Sequence, residues 1–264
     1  MRELAERAFH RVCLALGRLL RAGRYAETRL VPRDGAPEVR KRRLAHAPLL
    51  VWLGGALVRI LDTGQRVLPQ RDWEARERHL HDRLRGAEIR VDADGTLLLP
   101  FLRGETLATL LEDPALDASR RARAIQLAVL ALAELHRLGL THADAMAENV
   151  MVDLDAGVAH WFDFETLHDE RRPIAWRRAD DLRALLATCL LRTPSERVAA
   201  TVRLVLDVYG DEAVARLVAA SFATVPRRPL AFHLGQAPLS FGRQREIARL
   251  LRARVDGRPA RRGA

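Results

Sequence analysis

The stretch HADAMAENVMVDLDAGVAHWFDFE (142–165) gathers oxygen-bearing side chains at spacings that could hold a metal ion. Val150 and Val152 alternate with Asn149 and Met151, LDAG supplies a turn, and VAHWF resumes as a strand. A hairpin turning at 154–157 pairs position 153 with 158 and 149 with 162, which sets Asn149 beside Asp163 at its open end. Facing strand residues lie ~4.5–5.5 Å apart, close enough to share a divalent ion. Asp144, five residues before Asn149, can curl over the same point. One Asn and one Asp offer the hard oxygen ligands that Mg²⁺ takes, with substrate phosphates filling the remaining positions. A metallohydrolase built on His142 and Asp144 lacks a second His-rich segment to complete it. The plainer alternative is a hairpin with surface carboxylates.

Other elements must position these residues. Leu4, Ala8, Phe9, Val12, Leu16, Leu19 and Leu20 recur at helical spacing, so 2–22 is expected as an amphipathic helix. Residues 24–44 read as two short strands around PRDG, and 47–61 as an apolar helix despite Gly54 and Gly55. A helix over 70–85 puts Trp73, Glu77, Leu80 and Leu84 on one face. A hairpin follows over 87–102, then a polar connection and short helix in RGETLATLLED. Residues 119–138 are apolar nearly all round, as a buried helix would be. From about 177 to 255 the periodicity is helical, and GRPARRGA at the end reads as disordered. The fold class is therefore α+β, with strands concentrated in the first 100 residues.

Composition fits a soluble globular chain: 264 residues, 48% hydrophobic and 30% charged. Cys13 and Cys189 sit far apart in apolar segments and read as buried thiols in a reducing compartment. The net charge of +10 is uneven. Residues 1–43 carry 12 basic and 5 acidic side chains and 227–264 carry 10 and 2, leaving the middle at −5. Basic ends could meet an anionic membrane or nucleic acid, although Arg on solvated faces accounts for them as simply. The longest uncharged apolar run, APLLVWLGGALV (47–58), has 12 residues, short of the ~20 that span a bilayer. Arg11, Arg18 and Arg21 interrupt the N-terminal segment and make it a poor signal peptide. A cytoplasmic protein is expected, in peripheral contact at most with the inner face of a membrane.

H-A-D-x-x-x-x-N followed by D-F-E resembles the catalytic loop and metal-binding segment of the protein-kinase-like superfamily. The compact prokaryotic branch is the nearest in flavour: lipopolysaccharide (Kdo-type) kinases, RIO-like kinases, and aminoglycoside or choline phosphotransferases. The resemblance covers roughly residues 25–190. It implies a bilobal fold, with an N-lobe over 1–102 that includes an apolar insertion at 45–61, and a helical C-lobe over 103–264. It further implies that ATP and Mg²⁺ are bound, that Asp144 orients an acceptor hydroxyl and takes its proton, and that Asn149 and Asp163 hold the metal. His142 becomes a structural residue of the loop.

A fold of that kind requires a lysine on an N-lobe strand and a glutamate on a helix to hold it. Among 44 basic residues Lys41 is the sole lysine, and it lies on an expected strand. A compact ammonium fits between phosphate oxygens and a carboxylate where a planar guanidinium does not. Arg59 is the competitor. Glu77 is the expected partner, with Glu74 one turn earlier as the alternative. Backbone groups from Pro100 to Leu102 resemble the interlobe hinge that takes adenine. Asp181 resembles the buried helix aspartate that ties down the loop, although a charge at a helix N-terminus is the simpler account.

The departures are equally specific. No G-x-G-x-x-G precedes Lys41, Glu165 stands where a Gly usually follows Asp-Phe, and about ten residues separate Glu165 from the next helix. A small-molecule, sugar or lipid-linked acceptor is therefore expected rather than a protein. A nucleotide-binding scaffold without turnover, a RIO-like protein kinase, and a phosphate-backbone binder working through the basic C-terminal helix are the competing readings. Scarce aromatics in that helix disfavour nucleic acid.

Overall fold

The computed structural model describes residues 26–32, 37–60, 62–86, 89–222 and 239–257. The expected helix over 2–22, most of the PRDG turn and the tail from 258 lie outside them. Strands β1 (Ala26–Val31) and β2 (Glu38–Arg43) pair antiparallel. On its other side β2 pairs with β5 (Leu97–Pro100), which β4 (Arg90–Val91) borders. Alternation along β2 sends Arg40 and Arg42 to solvent and turns Lys41 inward, opposite Leu97.

Between β2 and β4 the chain forms α1 (Ala47–Ile60), β3 (Gln65–Val67) and α2 (Gln70–Arg85). Trp73, Glu77, Leu80 and His81 form the buried stripe of α2, and Gly86 ends the helix in the left-handed conformation. Leu68, Trp73, Ile89 and Leu97 make a small core beneath the four-stranded sheet.

The remainder is mostly helical. β6 (Glu105–Thr106) leads into α3 (Leu107–Glu112) and α4 (Ala118–Arg137), whose first turn Asp117 caps through the amides of Ser119 and Arg120. A 3₁₀ turn at Ala147–Asn149 precedes β7 (Val150–Asp153), β8 (Val158–Trp161) and β9 (Thr166–His168). Helices α5 (Ile174–Leu191), α6 (Val198–Tyr209), α7 (Glu212–Ser221) and α8 (Phe241–Val255) complete the larger core around α4 and α5. The architecture is mixed α+β, sheet-rich toward the N-terminus and helical toward the C-terminus. No helix among the described residues is long and apolar enough to cross a membrane.

Register in the β7–β8 hairpin is as the alternation requires, with Asp153 opposite Val158 and the Phe162 amide donating to the Asn149 carbonyl. Two features were not legible. First, β6 adds a third strand, possible because Gly104, at φ +102°, has no Cβ to strike the Val152 carbonyl. Second, β3 pairs antiparallel with β9, joining the segment before α2 to the segment after Glu165. Helix α4 also departs from expectation, because Leu130 emerges 45% exposed. The helix is covered on most of its circumference, not all of it.

Candidate active site

Lys41 is 6% exposed, and its ammonium sits among three carboxylates. Nζ lies 2.5 Å from Asp163 Oδ1, 2.8 Å from Glu165 Oε1 and 3.7 Å from Glu77 Oε1, with the Trp73 ring centroid 5.2 Å away. Burial alone would push the Lys41 ammonium down, but Asp163, Glu165 and Glu77 outweigh it and hold it above its ordinary value. Arg59, the competing cation, ends α1 exposed to solvent, and Glu74 bonds Gln70 instead.

Glu77 is fixed from two sides: its Oε1 accepts from Trp73 Nε1 at 3.3 Å and from the Phe164 amide at 3.1 Å. The second bond fastens α2 to the segment that carries Asp163. Burial raises the Glu77 and Glu165 carboxyls above their ordinary range. Asp163 goes the other way. Burial would raise it, and Lys41 overcomes that to hold it low. Its backbone is left-handed, φ +67°, an arrangement a non-glycine residue adopts only where its surroundings impose it.

Asn149 and Asp144 form the other half of the site. The Asn149 amide nitrogen donates to the Asp144 carbonyl at 2.8 Å and to Asp144 Oδ2 at 2.9 Å. Sequence reasoning set Asn149 beside Asp163 across the hairpin, and the Phe162 amide, next to Asp163, does donate to the Asn149 carbonyl at 3.0 Å, while the Asn149 side-chain amide turns to Asp144. Asp144 Oδ1 is buried without a hydrogen-bond partner among the described residues. Burial, then the neighbouring Asp163 charge, pushes the Asp144 carboxyl up to about 8.

The loop holding Asp144 is anchored from below. Asp181, two turns into α5 and fully buried, accepts from the His142 amide at 2.8 Å and the Ala143 amide at 2.7 Å. A helix-terminal charge would face solvent, so that account of Asp181 fails. His136 Nε2 lies 3.0 Å from Asp181 Oδ2, and His136 Nδ1 lies 2.7 Å from the Tyr209 hydroxyl. Burial would raise Asp181, and His168 and His136 hold it below its ordinary value. Ala143 has φ +68°, so the loop needs these bonds to stay in place.

His142 is buried with its ring 4.6 Å from that of Phe164. Its Nε2–H donates to the Phe162 carbonyl at 2.9 Å, and Nδ1 accepts from the Asp144 amide at 3.3 Å. Burial pushes it down to about 4, and both ring nitrogens are engaged within the loop.

Beside it runs the β3–β9 ribbon. Gln65 Nε2 donates to Asp180 Oδ2 at 2.9 Å, and His168 bridges Thr141 and Asp180. The Leu68 amide donates to the Glu165 carbonyl. Gly64, at φ +76°, packs where a Cβ would enter the Trp176 ring. None of Gln65, His136, Thr141 and His168 was singled out from sequence. The one available signal was polar residues breaking apolar runs.

Pro100 closes β5 and Leu102 lies half-buried after the exposed Phe101. The described residues hold no group of three or more His, Cys, Asp or Glu side chains arranged to bind a metal by themselves. Three carboxylates, of Asp163, Glu165 and Glu77, nonetheless surround the one ammonium of Lys41.

No protein-family model and no curated protein matches the sequence. Among solved structures, the chain is similar to the crystal structure of Rad53 1-466 in complex with AMP-PNP, at 15% identity and a TM-score of 0.34. The match covers 90% of this chain and 60% of that one.

Proposed function

We propose that this protein is an ATP- and Mg²⁺-dependent phosphotransferase of bilobal, protein-kinase-like architecture. Its acceptor would be a hydroxyl of a small molecule, a sugar or a lipid-linked component. One observation carries the reading: Lys41 and Glu77 from the N-terminal half converge on Asp163, while Asp144 and Asn149 are bonded together in the loop beside it.

In this reading Lys41 neutralises the nucleotide phosphates and Glu77 holds it on station. Asn149 and Asp163 supply hard oxygen donors for Mg²⁺, the remaining positions going to phosphates and water. The surplus of carboxylates and the unpartnered Asp144 oxygen fit a site that awaits cations and a hydroxyl. The bound ion supplies positive charge on the transferring phosphoryl group. Asp144 then orients the acceptor hydroxyl and takes its proton at Oδ1. Backbone groups between Pro100 and Leu102 take the adenine. Only eight residues separate Glu165 from α5, too few for a peptide-docking loop, which supports a small acceptor.

A second reading has its own observation. Glu165 closes on Lys41 at 2.8 Å in addition to Asp163, an extra carboxylate competing with phosphate for the ammonium, as in a nucleotide-binding scaffold without turnover. ATP consumption with Mg²⁺, assayed over a panel of sugars and lipid-linked hydroxyls, separates the two. Phosphotransfer requires Asp144→Ala to lose about 10²–10⁴-fold in kcat. It also requires Lys41→Arg to lose activity despite retaining charge, because the planar fork cannot replace the point ammonium. Thermal stabilisation by Mg²⁺–ATP with no turnover on any acceptor favours the scaffold.

A further inference from the structure

Helix α1 interrupts the course from Lys41 to Glu77, and nothing in the active-site chemistry accounts for its outer face. Leu49, Trp52 and Leu53, at helical spacing i, i+3 and i+4, are 60%, 68% and 48% exposed. The opposite side packs on β3. Seven residues after Trp52, Arg59 continues the same face, exposed. At the other end a cleft of about 560 Å³ opens between Trp52, Pro48, Val51, Arg42 and Arg43. Arg43 is fixed there by donating to the Leu68 carbonyl at 2.8 Å and lying over Trp73. Arg42 is half in solvent, its guanidinium 3.8 Å from Asp94 at the rim. Helix α1 itself carries no acidic side chain.

We infer that this face is a docking surface for an anionic phospholipid bilayer. A 14-residue helix is too short to span a bilayer and suits lying in its surface. Trp52 stands out from the helix as an indole does at headgroup depth, with one end in acyl chain and the N–H wet. Arginines bracket the apolar stripe at both ends, complementary to phosphodiester headgroups; the helix carries no carboxylate, and the one that pairs with them, Asp94 on Arg42, sits off the helix at the rim. The cleft beside Trp52, mostly apolar and lined at its rim by Arg42, Arg43 and Asp94, has room for one headgroup. The inference is independent of phosphotransfer, because membrane binding needs neither nucleotide nor turnover.

The test is flotation of the full chain with phosphatidylcholine vesicles, with and without phosphatidylglycerol, at low and physiological salt. The expected result is binding to the anionic vesicles that weakens with salt. The triple variant Leu49→Ser, Trp52→Ser, Leu53→Ser should lower the partition coefficient at least about tenfold. Arg42→Gln with Arg59→Gln should lower it by about tenfold or more and abolish the preference for phosphatidylglycerol. All five side chains are on the surface, so both variants should melt as the wild type does. If the triple variant does not fold, Trp52→Ser alone must still reduce binding, and brominated lipid must quench the wild-type tryptophan emission more than that variant's. The reading is overturned if the wild type floats with neither vesicle, or binds both equally. It is also overturned if the triple variant binds undiminished, or if its only effect is to convert a dimer to a monomer. Asp144→Asn should float as the wild type does, which separates failure here from failure of the phosphotransferase reading.

Discussion

Replacing Asp181 by asparagine preserves volume and removes one acceptor, so it isolates the hydrogen bonds that hold the loop. In the wild type, Oδ1 accepts from the Ala143 amide and Oδ2 from the His142 amide, with His136 Nε2 alongside. An asparagine has one acceptor oxygen, and its NH₂ must face one of the two amides. Whichever way it turns, one buried backbone N–H loses its partner, at about 1–3 kcal/mol, and the surviving bond loses its charge assistance, about 1 kcal/mol more. The sum is about 2–4 kcal/mol, and the left-handed Ala143 makes relaxation of the loop the easiest escape. Urea denaturation followed by circular dichroism reads the stability, and the phosphotransfer of the proposed function reads the loop. We expect the midpoint to fall and activity to fall further than the residual folded fraction explains. A loss below about 1 kcal/mol, with activity intact, would refute the anchoring role.

Two other outcomes follow from the geometry. Gly64→Ala should destabilise by about 2–4 kcal/mol in a denaturant titration, since it adds left-handed strain to a clash with Trp176; a neutral substitution would mean the β3–β9 ribbon is loosely held. Asp144 titrates near 8 when folded against an ordinary 3.8, so the folded protein keeps a proton that the unfolded chain releases. Its contribution is full below pH 3.8 and lost as pH rises through about 8. His142 runs oppositely: depressed to about 4 from 6.5, it contributes above 6.5 and loses that as pH falls through about 4. Between pH 6.5 and 8 the Asp144 slope stands without the His142 one, so Asp144→Asn, measured without Mg²⁺ or nucleotide, should flatten the decline there. An unchanged profile would count against a buried, proton-holding Asp144.

The chain spelled out whatever depends on residue type and short-range spacing. The alternation in VMVD and VAHW fixed the hairpin register, since a one-residue slip would bury Asp153 and expose Val152. The repeat Trp73, Glu77, Leu80 put a carboxylate on an apolar face, and burial demanded a cation for it. The rarity of lysine marked Lys41, and the fold buries its ammonium among three carboxylates.

Pairings between distant segments were left to the folded structure. β3 and β9 are three-residue strands separated by about a hundred residues, too short to show a period, and they pair only because α1 and α5 deliver them to the same place. The spacing brought Asp144 near Asn149, but only the folded loop showed the Asn149 side-chain amide donating to both the Asp144 carbonyl and its carboxylate. Sequence read Glu165 as extra charge near a metal; tertiary packing made it a direct partner of Lys41. Local pattern is written in side-chain polarity, which each residue carries with it. Partner choice among buried charges is settled by which groups the backbone brings within a few ångströms, and that geometry exists only once the chain has closed.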